Sequence, residues 1–597
     1  MVTTCQHRLT PESAAVGLRN ALVLHLAARG GAANEVLEDV AGGNPRLSEL
    51  PLALGVLMLR LGGMQPAVHD LLDTAAAIDP SDVAALNVQS LALLARDRPE
   101  EALAVSNRAL ALKPNNADVF HNRSIILERL RRVEEALASV EAALALRPVF
   151  AEALNQRGSL LAATVRLDEA IASYDRALAA NPNYAEAFNN KGVALAELGR
   201  EPEALASYDQ ALALWPDYAE AHTNRGNVLR NMARHAEALT SHERALAIKP
   251  NSAEMLCNRG IVLGELWRFG DGIQDCERAL AIQPVLPKAE FAMACMRLAI
   301  GDFKTGLELY EARYVKRKMP QPQWDGKTAL AGKTILLHHE QGYGDTIQFC
   351  RYVPLVAQRT HVVLVVPRAL RRLVATLSGG VDIVAADEPL PRFDVHCPLP
   401  SLPWAFHTTV DTIPQTVPYL AAAPDLVAAW RARMSNLPGL RIGIAWAGDP
   451  RPGHAPEVRA VDRRRSMPMS NYAPLARIAE LSLVSLQKGE AAHQAASPPR
   501  GMTIWDFTED LTDFADTAAL IEALDLVITV DTAVAHLAGA LGKPVWILNR
   551  FDACWRWLTG GTASPWYPTA RLFRQPSPGA WDAVIADVAT ALRALAH

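Results

Sequence analysis

A chain of 597 residues in which half are hydrophobic and 21% are charged holds apolar material for several packed cores, which excludes disorder over most of its length. The formal net charge of -5 leaves no basic footprint for binding nucleic acid through its phosphates. Seven scattered cysteines without a Cys-x-x-Cys pair suit a reducing compartment rather than a disulfide framework or zinc site, and neither a leader segment nor a run of about 18 apolar residues is present, so a cytoplasmic protein with no membrane span is expected.

The first 44 residues read as helical and say little more. From residue 45 to 318 a fixed period takes over. Prolines stand at 80, 114, 148, 182, 216, 250 and 284, each 34 residues after the last, and Gly158, Gly192, Gly226 and Gly260 move in step with Ala136, Ala170, Ala204 and Ala238. Within each period apolar residues recur at helical spacing in two short stretches, as in Ala185–Leu198 and Glu203–Leu214, with Gly199 between them as a stop. Each period is thus a helical hairpin whose small residues let two backbones approach. The arrangement resembles the tetratricopeptide repeat. One such hairpin cannot bury its apolar face alone, so the resemblance implies a stacked α superhelix with a concave groove.

Two residues ahead of the glycine position stand Asn122, Gln156, Asn190, Asn224 and Asn258, an amide ladder at the same period. A side-chain amide both donates and accepts, so the ladder is suited to the main chain of an extended peptide; bonding between neighbouring hairpins, or facing water, is the alternative. The next positions, Arg123, Arg157, Lys191, Arg225 and Arg259, form a basic stripe that reads as a solvated face. The ladder looks like the asparagine ladders of the nucleocytoplasmic protein O-glycosyltransferases.

Residues 319–333, with Pro320 and Pro322, read as a linker. Beyond it, short aliphatic runs alternate with helical stretches: strands are expected at Thr334–His338, His361–Val366, Val381–Ala385, Phe393–Cys397, Arg441–Trp446, Leu481–Leu486, Leu526–Thr529 and Pro544–Leu548. A break near Pro424–Leu440 divides them into two Rossmann-like halves, 334–424 and 425–597, with ligands expected beyond the carboxyl ends of the strands.

The residues after those strands carry the candidate chemistry. Gly342-Tyr343-Gly344-Asp345 is a glycine-rich turn entering a helix, with Asp345 either a cap or a reacting carboxylate. Trp446-Ala447-Gly448 precedes a polar loop with Asp462-Arg463-Arg464-Arg465-Ser466, whose arginines suit anionic oxygens. Ser485-Leu486-Gln487-Lys488-Gly489 places a lysine at a strand end. Asp531-Thr532-Ala533-Val534-Ala535-His536 opens a small-residue helix whose N–H groups suit a pyrophosphate. Between Trp324 and His597 there is no Asp-x-Asp pair, and no metal site is expected.

These motifs, followed by Ser564-Pro565-Trp566-Tyr567-Pro568, resemble in their order the heptosyltransferase-like GT-B glycosyltransferases, in particular bacterial proteins that carry such a domain behind tetratricopeptide repeats, some of which modify flagellin. The resemblance implies an inverting, metal-independent transfer of sugar from a nucleotide-sugar to Ser or Thr of a polypeptide held by the repeats, with no further cofactor. It implies donor contacts from Lys488, Asp531, Thr532, Ala533, His536, Arg465, Ser466 and Gln487, a base at Asp345 and peptide contacts from the amide ladder. The chain departs from that family where Ala533 replaces the usual glycine. The competing expectations are a repeat scaffold or chaperone with a degenerate transferase domain, and a transferase directed at lipid-linked or surface saccharide.

Overall fold

The computed structural model describes residues 81–313 and 319–596; the expectations for residues 1–80 and 314–318 lie outside it. The chain divides into two compact units, 1–216 and 217–597.

The described part of the first unit is four helical hairpins: Val83–Ala95 with Pro99–Leu112, Ala117–Arg129 with Val133–Leu146, Ala151–Ala163 with Leu167–Ala180, and Ala185–Glu197 with Glu201–Leu214. The turn inside each hairpin repeats one piece of backbone chemistry. Asp97, Arg131, Val165 and Gly199 all take a positive φ, and the following arginine N–H reaches back to close the helix, as Arg132 N does to Leu127 O at 2.9 Å and Arg200 N to Leu195 O at 2.9 Å. This is the Schellman ending that satisfies the last free carbonyls of a helix. The same arginines then pair with an acidic residue three positions on, Arg132 with Glu135 and Arg166 with Glu169, across exposed contacts that add little stability.

In the third and fourth hairpins the glycine position is filled from across the turn. A β-carbon at Gly158 would stand 2.5 Å from the Tyr174 ring, and one at Gly192 2.6 Å from the Tyr208 ring. Glycine is therefore required here by close approach, and Ala170 and Ala204 on the facing helices are buried.

The second unit continues with three further hairpins, Ala219–Asn231 with His235–Ile248, Ala253–Glu265 with Phe269–Ile282, and Pro287–Ala299 with Phe303–Leu309. It then forms two parallel sheets. The first contains β1 (Thr334–His338), β2 (His361–Val366), β3 (Asp382–Ala385) and β4 (Val395–Pro398) in the order β3-β2-β1-β4. The second contains β5 (Leu440–Ala445), β6 (Leu481–Ser485), β7 (Ile504–Asp506), β8 (Leu526–Val530), β9 (Val545–Asn549) and β10 (Ala570–Arg574) in the order β10-β9-β8-β5-β6-β7. Central strands such as β8 are buried along their whole length, as parallel strands covered on both faces must be.

One apolar cluster runs from Leu298, Phe303 and Tyr310 of the last hairpin through both sheets to Trp555 and Trp566, so that hairpin is part of the α/β core. The stretch 319–333, expected as a linker, lies against β4: Trp324 is buried and its N–H donates to His396 O at 2.7 Å. The expected break at Pro424–Leu440 holds a helix, Pro424–Arg433, before β5. Among the described residues no helix is long and apolar enough to cross a membrane.

Candidate functional site

Strand order reverses beside β1 in the first sheet, which has β2 on one side and β4 on the other, and beside β5 in the second, which lies between β6 and β8. Such reversals open a crevice beyond the carboxyl ends of the strands. The loops leaving β1, β5 and β8 carry the Gly342–Asp345 turn, the Trp446–Ser466 segment and the Asp531–His536 segment.

The turn after β1 starts the short helix Tyr343–Phe349, with Gly342 as its N-cap. Asp345 Oδ2 accepts from the Gly342 N–H at 3.0 Å, and its other oxygen accepts from Arg556 Nη2. The capping role of Asp345 is thus present in the free protein, together with an ion pair. Arg556 is itself buried and donates from Nε to Gln348 Oε1 at 2.6 Å.

Three elements of the second sheet surround this turn. A β-carbon at Gly344 would lie 2.8 Å from His536 Cδ2 and 3.5 Å from Ala533 Cα, and one at Gly342 would lie 3.7 Å from Arg451 Nη2. The Tyr343 ring packs against Phe514 with centroids 5.1 Å apart. The motifs of the two halves therefore meet.

The helix Ala533–Ala540 receives no side-chain cap. Thr532 stands at its N-cap position, but its hydroxyl is bonded to Thr529 Oγ1 at 3.2 Å, and of the first turn Ala535 N–H donates to Thr532 O at 3.1 Å, so the N–H groups of Ala533 and Val534 have no side-chain acceptor and carry the partial positive charge of the helix start. Asp531 is half-buried, and its carbonyl accepts from Arg465 Nη1 at 3.3 Å.

His536 is 5% exposed. Its Nδ1 is hydrogen-bonded to the Tyr567 hydroxyl at 2.9 Å, its ring stacks on Trp557 at 5.4 Å, and Nε2 lies 4.0 Å from Asp531 Oδ1. Burial, reinforced by Arg556, lowers its pKa from 6.5 to about 3, so the ring is neutral at neutral pH and its approach to Asp531 is not an ion pair. Burial holds Tyr567 protonated as well.

At the end of β5, a β-carbon at Gly448 would fall 2.2 Å from Asp462 Oδ1 and 2.5 Å from Arg465 Nη2, so glycine makes room for that pair. Arg465 donates to Asp462 from Nε at 2.8 Å and from Nη2 at 2.6 Å, and Ser466 Oγ accepts from the Gly448 N–H at 3.0 Å. The three consecutive arginines do not act together. Arg463 is exposed, while Arg464 turns toward the repeats and meets the Arg230 carbonyl at 3.0 Å, Glu265 at 3.3 Å and Asp552 at 2.9 Å.

Gln487 joins the ends of β5 and β6: its Oε1 accepts from Trp446 N and Ala447 N, both at 2.9 Å, and its Nε2 donates to Ala447 O and Lys488 O. Its amide is spent on the fold. Lys488 Nζ donates to Thr508 O at 2.7 Å and Leu511 O at 3.1 Å, tying down the loop that leads to Phe514.

Of the amide ladder, Asn122 Nδ2 donates to Asn87 Oδ1 at 2.9 Å, Gln156 Nε2 to Glu128 at 2.7 Å and Asn190 Nδ2 to Asn155 Oδ1 at 3.1 Å, each on the first helix of the preceding hairpin. Asn224 is half-buried, and Asn258 is buried and accepts from Lys288 Nζ at 2.7 Å. The basic stripe is not a solvated face. Arg157 donates to Ser173 Oγ at 2.7 Å, Lys191 pairs with Asp175 at 2.7 Å, Arg225 donates to Ser241 Oγ at 2.8 Å, and Arg259 pairs with Asp275. Arg157, Arg225 and Arg259 bridge the two helices of their own hairpins, reaching Ser173, Ser241 and Asp275 16 positions on, whereas Lys191 reaches back 16 positions to Asp175 on the second helix of the preceding hairpin.

Arg451 and Arg556 lie outside the sequence motifs, whereas Asp462 and Tyr567 stand within motifs without a role of their own. Tyr567 belongs to the Ser564–Pro568 motif, whereas Arg556 is one arginine in a tryptophan-rich turn and reaches Asp345 across 211 residues.

Comparison with known proteins bears on this domain directly. Residues 468–548 match glycosyltransferase family 9 (heptosyltransferase), a span that includes Lys488 and the whole Asp531–His536 segment. Residues 52–117, 122–185, 166–219 and 189–253 match the tetratricopeptide repeat. The chain thus carries tetratricopeptide repeats followed by a glycosyltransferase family 9 domain. It is 28% identical over 340 residues to Protein FlbA of Caulobacter vibrioides, covering 52% of this chain and 55% of that protein, so it spans about half the length of the curated relative it matches. Among solved structures, YrrB, a tetratricopeptide protein with an unusual peptide-binding site, is 24% identical and covers 31% of this chain and 95% of its own at a TM-score of 0.27. A thermophilic tetratricopeptide protein of Thermus thermophilus is 26% identical and covers 31% and 99% at a TM-score of 0.29.

Proposed function

We propose that this chain is a protein glycosyltransferase of the GT-B type, moving a sugar from a nucleotide-sugar donor onto a Ser or Thr hydroxyl of a polypeptide held by its repeats, flagellin being the foremost candidate. The observation that carries the reading is the meeting of the Gly342–Asp345 turn with the uncapped start of Ala533–Ala540, each at the reversal point of its sheet, the second of them within residues 468–548 that match glycosyltransferase family 9.

In this reading the donor phosphate docks at the N–H groups of Ala533 and its neighbours, with the cations of the β5 loop beside it. No Asp-x-Asp pair stands between Trp324 and His597, which favours a leaving group neutralised by the helix start and arginines rather than by a bridging metal. Asp345 keeps lone pairs on both oxygens beyond those used by Arg556 and Gly342, so an acceptor hydroxyl can donate to it. His536 is a neutral wall that fixes the distance between the halves, and Lys488 fixes the 508–514 loop. Asn122 and Asn190 have donor or acceptor capacity beyond their links between hairpins, which suits the main chain of a bound peptide, whereas Asn258 is buried.

Intact-mass analysis of candidate proteins from cells with and without this chain tests the proposal. A mass shift of one or more sugars on an abundant protein, present only with the chain, is expected. Unchanged protein masses together with an altered surface saccharide would instead make the acceptor a saccharide.

A further inference from the structure

The cations around the crevice are mostly committed to the fold. Lys488 holds two carbonyls, Arg465 holds Asp462 and the Asp531 carbonyl, and Arg556 holds Asp345 and Gln348. Arg351 is buried, donating to Gln348 O at 3.0 Å and Trp566 O at 2.8 Å.

Arg451 differs. Its main chain is fixed in the loop after β5, where its N–H donates to Asp449 Oδ1 at 3.1 Å and its carbonyl accepts from His454 N at 3.0 Å. It takes φ +49, a left-handed conformation that costs a non-glycine residue about 1 kcal/mol. Among the described residues its guanidinium has no hydrogen-bond or ion-pair partner. That guanidinium is half-buried and stands over Gly342 of the facing turn, where a β-carbon would come within 3.7 Å of Nη2. The nearby Asp462 carboxylate feels its charge but takes its hydrogen bonds from Arg465, so the Arg451 guanidinium keeps its donors for an anionic ligand, and its geometry matches phosphate oxygens.

We infer that Arg451 binds the sugar-linked phosphate of the nucleotide donor and neutralises it as it leaves. The inference rests on the donor-site reading above. In the transfer the glycosidic C–O bond to phosphate breaks and its electron pair stays on the phosphate oxygen facing Arg451. The acceptor oxygen forms the new C–O bond, and the acceptor proton passes to the Asp345 carboxylate.

Titration calorimetry on the full chain tests it, using UDP, GDP, ADP, CDP, TDP and CMP as probes together with the nucleoside of whichever binds best. For that nucleotide Arg451→Ala weakens binding about 10-fold or more and Arg451→Lys recovers part of it, as expected for a charge-assisted phosphate contact. Affinity for the nucleoside is unchanged. Nucleotide affinity within about twofold of the parent protein, or an equal loss for the nucleoside, overturns the assignment while leaving the donor site standing. Failure of every probe to bind the parent protein overturns the donor-site reading, and the assignment with it.

Discussion

Gly344 lies against the ring of His536, so closely that a β-carbon would stand 2.8 Å from Cδ2. The two residues belong to different sheets, and this contact sets how near the β1 turn comes to the helix after β8. Neither can grow without moving the other.

Gly344→Ala therefore forces the halves apart, and its neighbour supplies the control. A β-carbon at Gly342 would meet nothing nearer than 3.5 Å. Gly344→Ala is expected to lower stability by about 1–3 kcal/mol, as overpacking does, and to weaken nucleotide binding, whereas Gly342→Ala costs less than about 1 kcal/mol. Urea unfolding of the two variants separates them; equal midpoints would refute the contact.

The Asp345–Arg556 pair is largely buried, with side chains 23% and 9% exposed. Removing one partner strands the other, which typically costs about 3 kcal/mol or more. Asp345→Asn and Arg556→Gln are each expected to destabilise the fold and abolish transfer, with the double variant less unstable than the sum of the singles. Additive losses in a double-mutant cycle would mean that the pair is not coupled.

Acid should loosen the second unit. His536 and His242 both have pKa values lowered to about 3, chiefly by burial, against 6.5 when unfolded. Between those values the unfolded chain holds more protons, so stability is complete above about pH 6.5 and falls as pH drops below it, by up to about 1.4 kcal/mol per pH unit for each histidine. His242 occupies the position of Tyr174 and Tyr208 and packs its ring on Gly226. His242→Tyr is expected to shrink the difference in thermal midpoint between pH 7.5 and pH 5.5; an unchanged difference would remove His242 from the account.

Two glycine substitutions in the repeats should act with opposite sign. Gly192→Ala meets the Tyr208 ring and lowers stability, while Gly270, exposed on the helix Phe269–Ile282 with nothing within 4 Å of its would-be β-carbon, should gain up to about 1 kcal/mol on change to alanine. Calorimetric midpoints of the two variants decide it. A loss in both would show that helix propensity is not limiting at Gly270.

The parts of the molecule that were legible in its sequence are those set by local rules. Strands β1 and β2 fall at their expected residues because β-branched and aliphatic runs admit little else, and the hairpins follow from a period that packing imposes. The edge strands β7 and β10 were not foreseen: β7 is three residues with an exposed face, and β10 carries Arg571 and Arg574 among its five. The inner turns were only partly legible, since Val165 and Trp267 take the left-handed position that Gly199 announces. Long-range charge was not legible at all. Nothing local separates Arg464, which binds Glu265 of the repeats, from Arg465, which binds Asp462, although they are adjacent.

The central claim is that an anionic nucleotide docks between the β1 turn and the start of the helix after β8. Hydrogen exchange of the full chain, with and without a saturating nucleotide, reads those backbone amides one segment at a time. Slowed exchange at residues 342–346 and at 532–536 together is the predicted result. Protection confined to other segments, with both of these unchanged, would contradict the account.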